Sequence, residues 1–203
     1  MTGRERDESV ADEDRILAAA LSGDKTALSE LVGRNYGRVF RYLVRLGGDY
    51  HLAQDLAQET FYRVWQGLCG RRETAPFRPW LYRIAHNVFI DHVRSWHSRN
   101  VVAASGLAGE DGEGEADPVV SIVSRRLERS QAAALLRKLS PDHRAVVVLR
   151  FYEDLTLGEI AETLELPLGT VKSRLHYAFR ELKDLLASDE LPGFRESDDG
   201  RDG

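Results

Sequence analysis

The chain has 203 residues, of which 42% are hydrophobic and 30% charged, with a formal net charge of −5. These are the proportions of a globular protein with one large or two small domains, not of a chain disordered throughout. A single cysteine, Cys69, excludes an intramolecular disulfide and a multi-cysteine zinc site and fits a reducing cytoplasm; the charged start, Met1 to Asp14, and the lack of an apolar run near the roughly 20 residues that cross a bilayer predict no export and no membrane insertion.

Residues 1–13 lack apolar periodicity and are expected to be a mobile N-terminus. Asp12 or Asp14 can cap a helix carrying Ile16, Leu17, Ala20 and Leu21, ended by Ser22-Gly23-Asp24. A longer helix, Lys25 to Leu46, buries Leu28, Leu31, Val32, Tyr36, Val39, Phe40, Leu43 and Val44, and Gly47-Gly48-Asp49 stops it. The next, about Tyr50 to Gly67, turns Ala53, Ala57, Thr60, Phe61, Val64 and Trp65 to one side. It turns Asp55, Glu59 and Tyr62 to the other, beside Gln58, Leu52 and Leu56.

A breaker-rich, arginine-bearing loop from Leu68 to Phe77 includes Arg71 and Arg72. Pro79 then suits the first turn of a helix running to about His97. Leu81, Ile84, Ala85, Val88 and His92 share one side of it; Arg83, Asn87, Ile90 and Arg94 form a second row, beside Trp80 and Asp91.

Residues 99–121 are glycine, alanine and acid with few large apolar groups, and read as a flexible acidic linker. A helix near Val123 to Leu139 follows. Ser140-Pro141-Asp142 then starts a helix with Ala145, Val146, Val148, Leu149 and Tyr152. Thr156 and Glu159 form a capping box ahead of Leu157, Ile160, Ala161 and Leu164. Glu165-Leu166-Pro167-Leu168-Gly169 interrupts, and a last helix from Thr170 puts Val171, Leu175, Ala178, Leu182 and Leu185 on one face and Lys172, Ser173, His176, Tyr177 and Arg180 on the other. Two helices, a tight turn and a polar face on the second describe a helix-turn-helix. The tail, 188–203, is acidic and expected to be disordered. With no strand-like alternation, the fold class is all-α: two small helical domains, 14–98 and 122–187, joined by the linker.

Charge follows these divisions. Residues 34–99 hold eleven basic and five acidic side chains, a net of +6, and 122–187 hold eleven and nine, a net of +2, whereas 100–121 hold five acids and no base. Two basic blocks joined by acidic chain carry a nucleic-acid signature that the overall −5 conceals.

Asp55-Leu56-Ala57-Gln58-Glu59-Thr60-Phe61, Phe77-Arg78-Pro79-Trp80-Leu81-Tyr82-Arg83-Ile84-Ala85-His86-Asn87 with Asp91 and Arg94, Leu139-Ser140-Pro141, and Gly169-Thr170-Val171-Lys172-Ser173-Arg174-Leu175 together resemble a bacterial RNA polymerase sigma factor of the extracytoplasmic-function group. The resemblance covers about 14–98 and 123–187 and implies a dissociable subunit with two domains. One reads and helps melt the minus-ten element, and the other reads the minus-thirty-five element. The implied partners are polymerase core, through the clamp helices of its largest subunit and the flap of the second subunit; promoter DNA; and an anti-sigma factor. No cofactor, metal or catalytic residue is implied.

By this resemblance Asp55, Gln58 and Glu59 dock on core, with Leu52 and Leu56 as the apolar centre such an interface uses; alone, the face also reads as solvated helix surface. Asn87 and the loop with Arg71 and Arg72 would hold a flipped minus-ten base, with Arg83 and Arg94 near the backbone and Ile90 in the same row. Trp80 reads more simply as core, and Asp91 and Arg94, three apart, can pair. Thr170, Lys172, Ser173, His176, Tyr177 and Arg180 would meet the minus-thirty-five groove, while Arg174 suits a neighbouring helix or the DNA backbone.

Two departures stand out. Glu165 occupies a turn position where the family usually has glycine, and the chain carries few arginines after the middle of the recognition helix. A stand-alone helix-turn-helix regulator would explain the second domain but not the first. An enzyme built on His86, Asp91 and Cys69 lacks a nucleophile motif or phosphate loop.

Overall fold

The structure is a computed structural model that describes residues 3–47, 49–68, 76–101 and 132–187. Eight helices and no strand occur among them: α1 (Gly3–Leu21), α2 (Lys25–Gly47), α3 (Tyr50–Leu68), α4 (Phe77–Val101), α5 (residues 132–138), α6 (Pro141–Phe151), α7 (Leu157–Leu164) and α8 (Leu168–Ala187). The linker after Val101, the tail, Cys69, Arg71 and Arg72, and the start of the helix expected near Val123 lie outside the described residues.

α1 to α4 form the first domain, α2 packing on α1 and α3, and α3 on α4. The residues that end one helix also begin the next. Asp24 Oδ1 accepts the backbone N–H groups of Thr26 (2.8 Å) and Ala27 (3.3 Å), and Asp49 Oδ1 accepts that of Leu52 (2.9 Å), which satisfies donors left over at the starts of α2 and α3. Gly23, at φ 95°, supplies the left-handed residue of the first turn. Buried Asn35 ties α2 to α1 by donating to Glu13 (2.9 Å) and to the Leu31 carbonyl (3.0 Å), and Arg34 pairs with Asp12 (2.5 Å).

α1 begins at Gly3 where the sequence reading expected a mobile terminus through residue 13. Arginine and glutamate between Arg4 and Glu13 need no apolar stripe to extend a helix already anchored by Ile16, Leu17 and Ala20, since propagation costs far less than nucleation. α4 likewise starts two residues before Pro79 and runs to Val101, into the stretch read as linker; Pro79 still lies in the first turn, where its missing N–H has no partner to lose.

In the second domain, Ser140 caps α6 by accepting the His143 N–H (3.3 Å), and Pro141 fills the first helical position as the sequence predicts. Ala145 to Leu149 are all buried, Val147 included, because α6 packs against α8 and α7 and also against α2 of the first domain. Tyr152, expected in that buried set, caps the helix end and stays partly exposed. The two domains lie face to face, and their buried apolar side chains form one continuous cluster. α7 lies on α4, where Thr163 Oγ1, which donates to the Glu159 carbonyl of its own helix (2.7 Å), also comes within 3.3 Å of the Pro79 carbonyl. Arg144 donates to the Leu46 carbonyl (2.5 Å) at the end of α2 and to the carbonyls of Arg137 (2.7 Å) and Leu139 (3.0 Å) in its own domain.

Candidate nucleic-acid interface

The helix-turn-helix is built as its residues dictate. Thr156 Oγ1 accepts the Glu159 N–H (3.2 Å) and Glu159 returns a bond from the Thr156 N–H (2.7 Å), so the capping box is complete. α7 ends at Glu165 with φ 55° and ψ 44°, the left-handed conformation a glycine adopts without cost; a glutamate there carries on the order of 1 kcal/mol of strain. The Pro167 carbonyl accepts the N–H groups of Thr170 (2.9 Å) and Val171 (3.2 Å), which moves the start of α8 to Leu168, two residues ahead of the sequence expectation.

α8 separates its two faces. Val171, Leu175 and Ala178 are buried and Leu182 packs on the core, while Lys172, Ser173, His176, Tyr177 and Arg180 are exposed together, with Thr170 half-buried in the first turn. Ser173 Oγ donates to the Thr170 carbonyl (3.0 Å), and His176 stacks edge-on to Tyr177 at 5.6 Å. Arg174 sits at the edge of the apolar face and pairs with Asp142 of α6 (2.5 Å), the neighbouring-helix role its position suggests.

The first domain is less orderly. On α3, Asp55 and Gln58 are exposed and Glu59 is half-exposed, held by Arg63 (2.8 Å). Leu52 is half-buried, but Leu56 is 7% exposed and faces the core, so it cannot supply the apolar centre expected of it; Trp65, placed by the sequence reading on the buried side, is 58% exposed beside Tyr62. At 100° per residue the buried stripe centres between Ala57 and Thr60, with Leu56 about 80° away and Trp65 about 100° away on the other side, and that small difference decides which is covered. Asp91 does not pair with Arg94: it takes Arg63 (2.9 Å), so one guanidinium bridges Glu59 of α3 and Asp91 of α4.

On α4, Asn87 and Arg94 are exposed, Arg83 and Ile90 half-buried, and Trp80 packs at the core edge. Arg83 lies 3.7 Å from Glu165, the residue at the strained turn of the other domain. His86 shares a hydrogen bond with the Tyr42 hydroxyl (3.1 Å), and burial lowers its ring to about 4, with Asp142 drawing it up and Arg174 pushing it down.

Two family models match the chain, Sigma-70 region 2 over residues 31–99 and Sigma-70, region 4 over 135–184. The ECF RNA polymerase sigma factor SigL of Mycobacterium tuberculosis is 36% identical over 168 residues, covering 82% of this chain and 93% of the relative. SigW of Bacillus subtilis is 33% identical over 172 residues, covering 81% and 91%. The chain belongs to the extracytoplasmic-function sigma factors of RNA polymerase. It is thus a DNA-binding protein of transcription initiation. Among solved structures, CnrH in complex with the cytosolic domain of CnrY is 26% identical with a TM-score of 0.64, covering 87% of this chain and 98% of that one. The sigma factor RpoE of Bartonella quintana, solved with the anti-sigma factor NepR, shares the fold with a TM-score of 0.67 at 22% identity, covering 79% and 97%. No helix among the described residues of this sigma factor is long and apolar enough to cross a membrane.

The polar contacts between the domains have almost no signature in the sequence. Glu153, in the turn after α6, is 5% exposed; its carboxylate accepts the Tyr82 hydroxyl and lies 3.9 Å from Arg45, and its backbone carbonyl accepts Arg78 (2.7 Å). Burial pushes this carboxyl up, and the Tyr82 bond and the arginines pull it back. Arg45 in turn lies over the Tyr152 ring at 4.2 Å. The only sequence signal was the unbroken apolar run around Val146, too dense for a helix with one wet face.

Proposed function

We infer that this sigma factor brings polymerase core to promoters by reading the minus-thirty-five element with α8 and gripping and helping to melt the minus-ten element with α4. The observation that carries the reading is the exposed row Lys172, Ser173, His176, Tyr177 and Arg180 on a helix whose opposite face is buried, presented by a capped helix-turn-helix. Such a row offers donors, an imidazole and an aromatic to base edges, with Thr170 in the first turn for a phosphate. Arg83, Asn87, Ile90 and Arg94, with Arg71 and Arg72 of the preceding loop, engage the opened strand. Asp55, Gln58 and Glu59, with Leu52 beside them, dock on a basic surface of core. Acid would repel DNA, and the Glu59 charge is already shared with Arg63, so Asp55 is the freer attraction.

The flap of the second polymerase subunit is the expected seat of the second domain. An anti-sigma factor is the expected regulator, a reading supported by the solved pair of a sigma factor with NepR. Reconstitution tests the whole. The purified chain mixed with core should co-elute with it and start transcription at defined sites, and Asp55→Arg should abolish co-elution. A chain that binds DNA but never core would be a stand-alone regulator, and the reading would fall.

A further inference from the structure

Glu153 meets an unusual concentration of cations. Arg38, Arg41 and Arg45 recur three and four apart on α2, and Arg78 and Tyr82 stand four apart on α4, so each set forms one helical stripe. Arg45 and Arg78 contact Glu153 directly, Arg41 acts on its carboxylate through space, and Arg38 acts on the Tyr82 hydroxyl. Three guanidiniums, those of Arg41, Arg45 and Arg78, act on one carboxylate, with Arg38 beside its Tyr82 partner, so positive charge exceeds the single negative one. In addition, the Arg78 Nε–H is buried without a partner. A site with that much excess charge suits an anion richer in oxygen than a carboxylate.

The closed arrangement cannot read a promoter. Minus-ten and minus-thirty-five elements lie about 25 base pairs apart, roughly 85 Å of duplex, whereas a 70-residue domain has a radius of gyration of about 11 Å. Domains in contact cannot reach both, so engagement withdraws Glu153 from Arg45, Arg78 and Tyr82.

We propose that Arg45, Arg78 and Tyr82 form a binding site for a backbone phosphate of promoter DNA, which Glu153 occupies as an internal anion while the domains are closed. The requirement that they part rests on the promoter reading above; the site itself rests on the buried contacts. Glu165 repeats the relation beside it, setting a second acid of the helix-turn-helix against Arg83 of α4. The closed form therefore holds its own acids where DNA would lie.

The test uses the full chain without polymerase and a labelled single strand of about 20 nucleotides, titrated over a range of salt. Glu153→Ala should tighten binding about tenfold at low salt and steepen the log–log salt slope by about 0.7, the increment for one phosphate on a single strand. Glu162→Ala, an equal charge change on an exposed face, should do neither. Adding Arg45→Ala and Arg78→Ala to Glu153→Ala should remove both gains. A gain that survives loss of both arginines would assign it to opening alone and overturn the phosphate site. Small-angle scattering reports whether the domains have parted, and circular dichroism whether each variant is folded. Should Glu153→Ala stay closed, Glu153→Lys sets a cation against Arg45 and Arg78 and drives the faces apart. An opened chain with no gain that depends on the two arginines would equally overturn the proposal. Failure of the wild-type chain to bind core would instead count against the sigma-factor mechanism and leave the salt slopes to decide the site.

Discussion

α4 and α8 are the two helices expected to meet DNA, and they are buried in opposite styles. α8 hides one face and exposes the other, so its recognition row is separate from its packing. α4 is covered by α2 and α3 on one side and by α7 of the second domain on the other, so Tyr82 and Phe89 are buried along with Leu81, Ala85 and Val88. A helix enclosed in this way gives most of its surface to packing, whereas α8 keeps its exposed row apart from its buried face. Changes in α4 should therefore disturb stability first and DNA binding second, and changes in the α8 row the reverse.

The largest effect is expected from Leu81→Ala. Leu81 is almost fully enclosed, and its truncation should cost about 2–5 kcal/mol, visible as an earlier urea midpoint. Acid should act next, through His86. Its ring is held near 4 in the folded protein against an ordinary value of 6.5, so the unfolded chain takes up the proton first. The stabilisation is complete above pH 6.5 and drains away as pH falls toward 4, up to about 3 kcal/mol at 1.36 kcal/mol per pKa unit. Glu153 works the other way, since its raised carboxyl binds a proton more readily when packed. The pH dependence of melting should therefore be compared between wild type and His86→Gln, and identical profiles would remove His86 from the account.

On the α8 side, Lys172→Ala should leave the melting temperature within a degree or so, while weakening discrimination for a mapped minus-thirty-five element by about 1–3 kcal/mol in competition binding. Thr156→Ala removes the cap of α7 and should cost about 1 kcal/mol in denaturant melts. The smallest effect belongs to Glu165→Gly, which relieves about 1 kcal/mol of left-handed strain and gives up a partly exposed pair with Arg83 worth about 0–1 kcal/mol. Stability should hardly move. A loss well above 1 kcal/mol would mean that Glu165 holds the domains together more firmly than its exposure suggests.

The same contrast explains what the sequence could reveal. The division of α8 into an apolar and a polar face, the capping box at Thr156 and the Ser140-Pro141 start are each decided by neighbours a few residues away, and each stands in the structure as its residues predict. The turn at Glu165 was flagged only through the family resemblance, by the glycine usual there, and its left-handed conformation is a finding of the structure. Leu56 and Trp65 were not legible, because both sit at a stripe boundary where the packing partner chooses between them. Glu153 was invisible for a stronger reason: a glutamate beside an aspartate in a loop reads as solvated, and only a partner domain about 70 residues earlier in the chain makes it buried. The turn of Arg63 toward Asp91 depends likewise on how α3 and α4 cross.

Arg144 bears on how readily the two halves can part and meet again. Two of its three carbonyl partners, on Arg137 and Leu139, belong to its own domain, and only Leu46 lies across the divide. Its guanidinium is therefore held in place before the halves touch, and re-forming the Leu46 bond freezes little further side-chain motion. A joint whose donor is pre-set in this way can be broken and remade without either half having to refold.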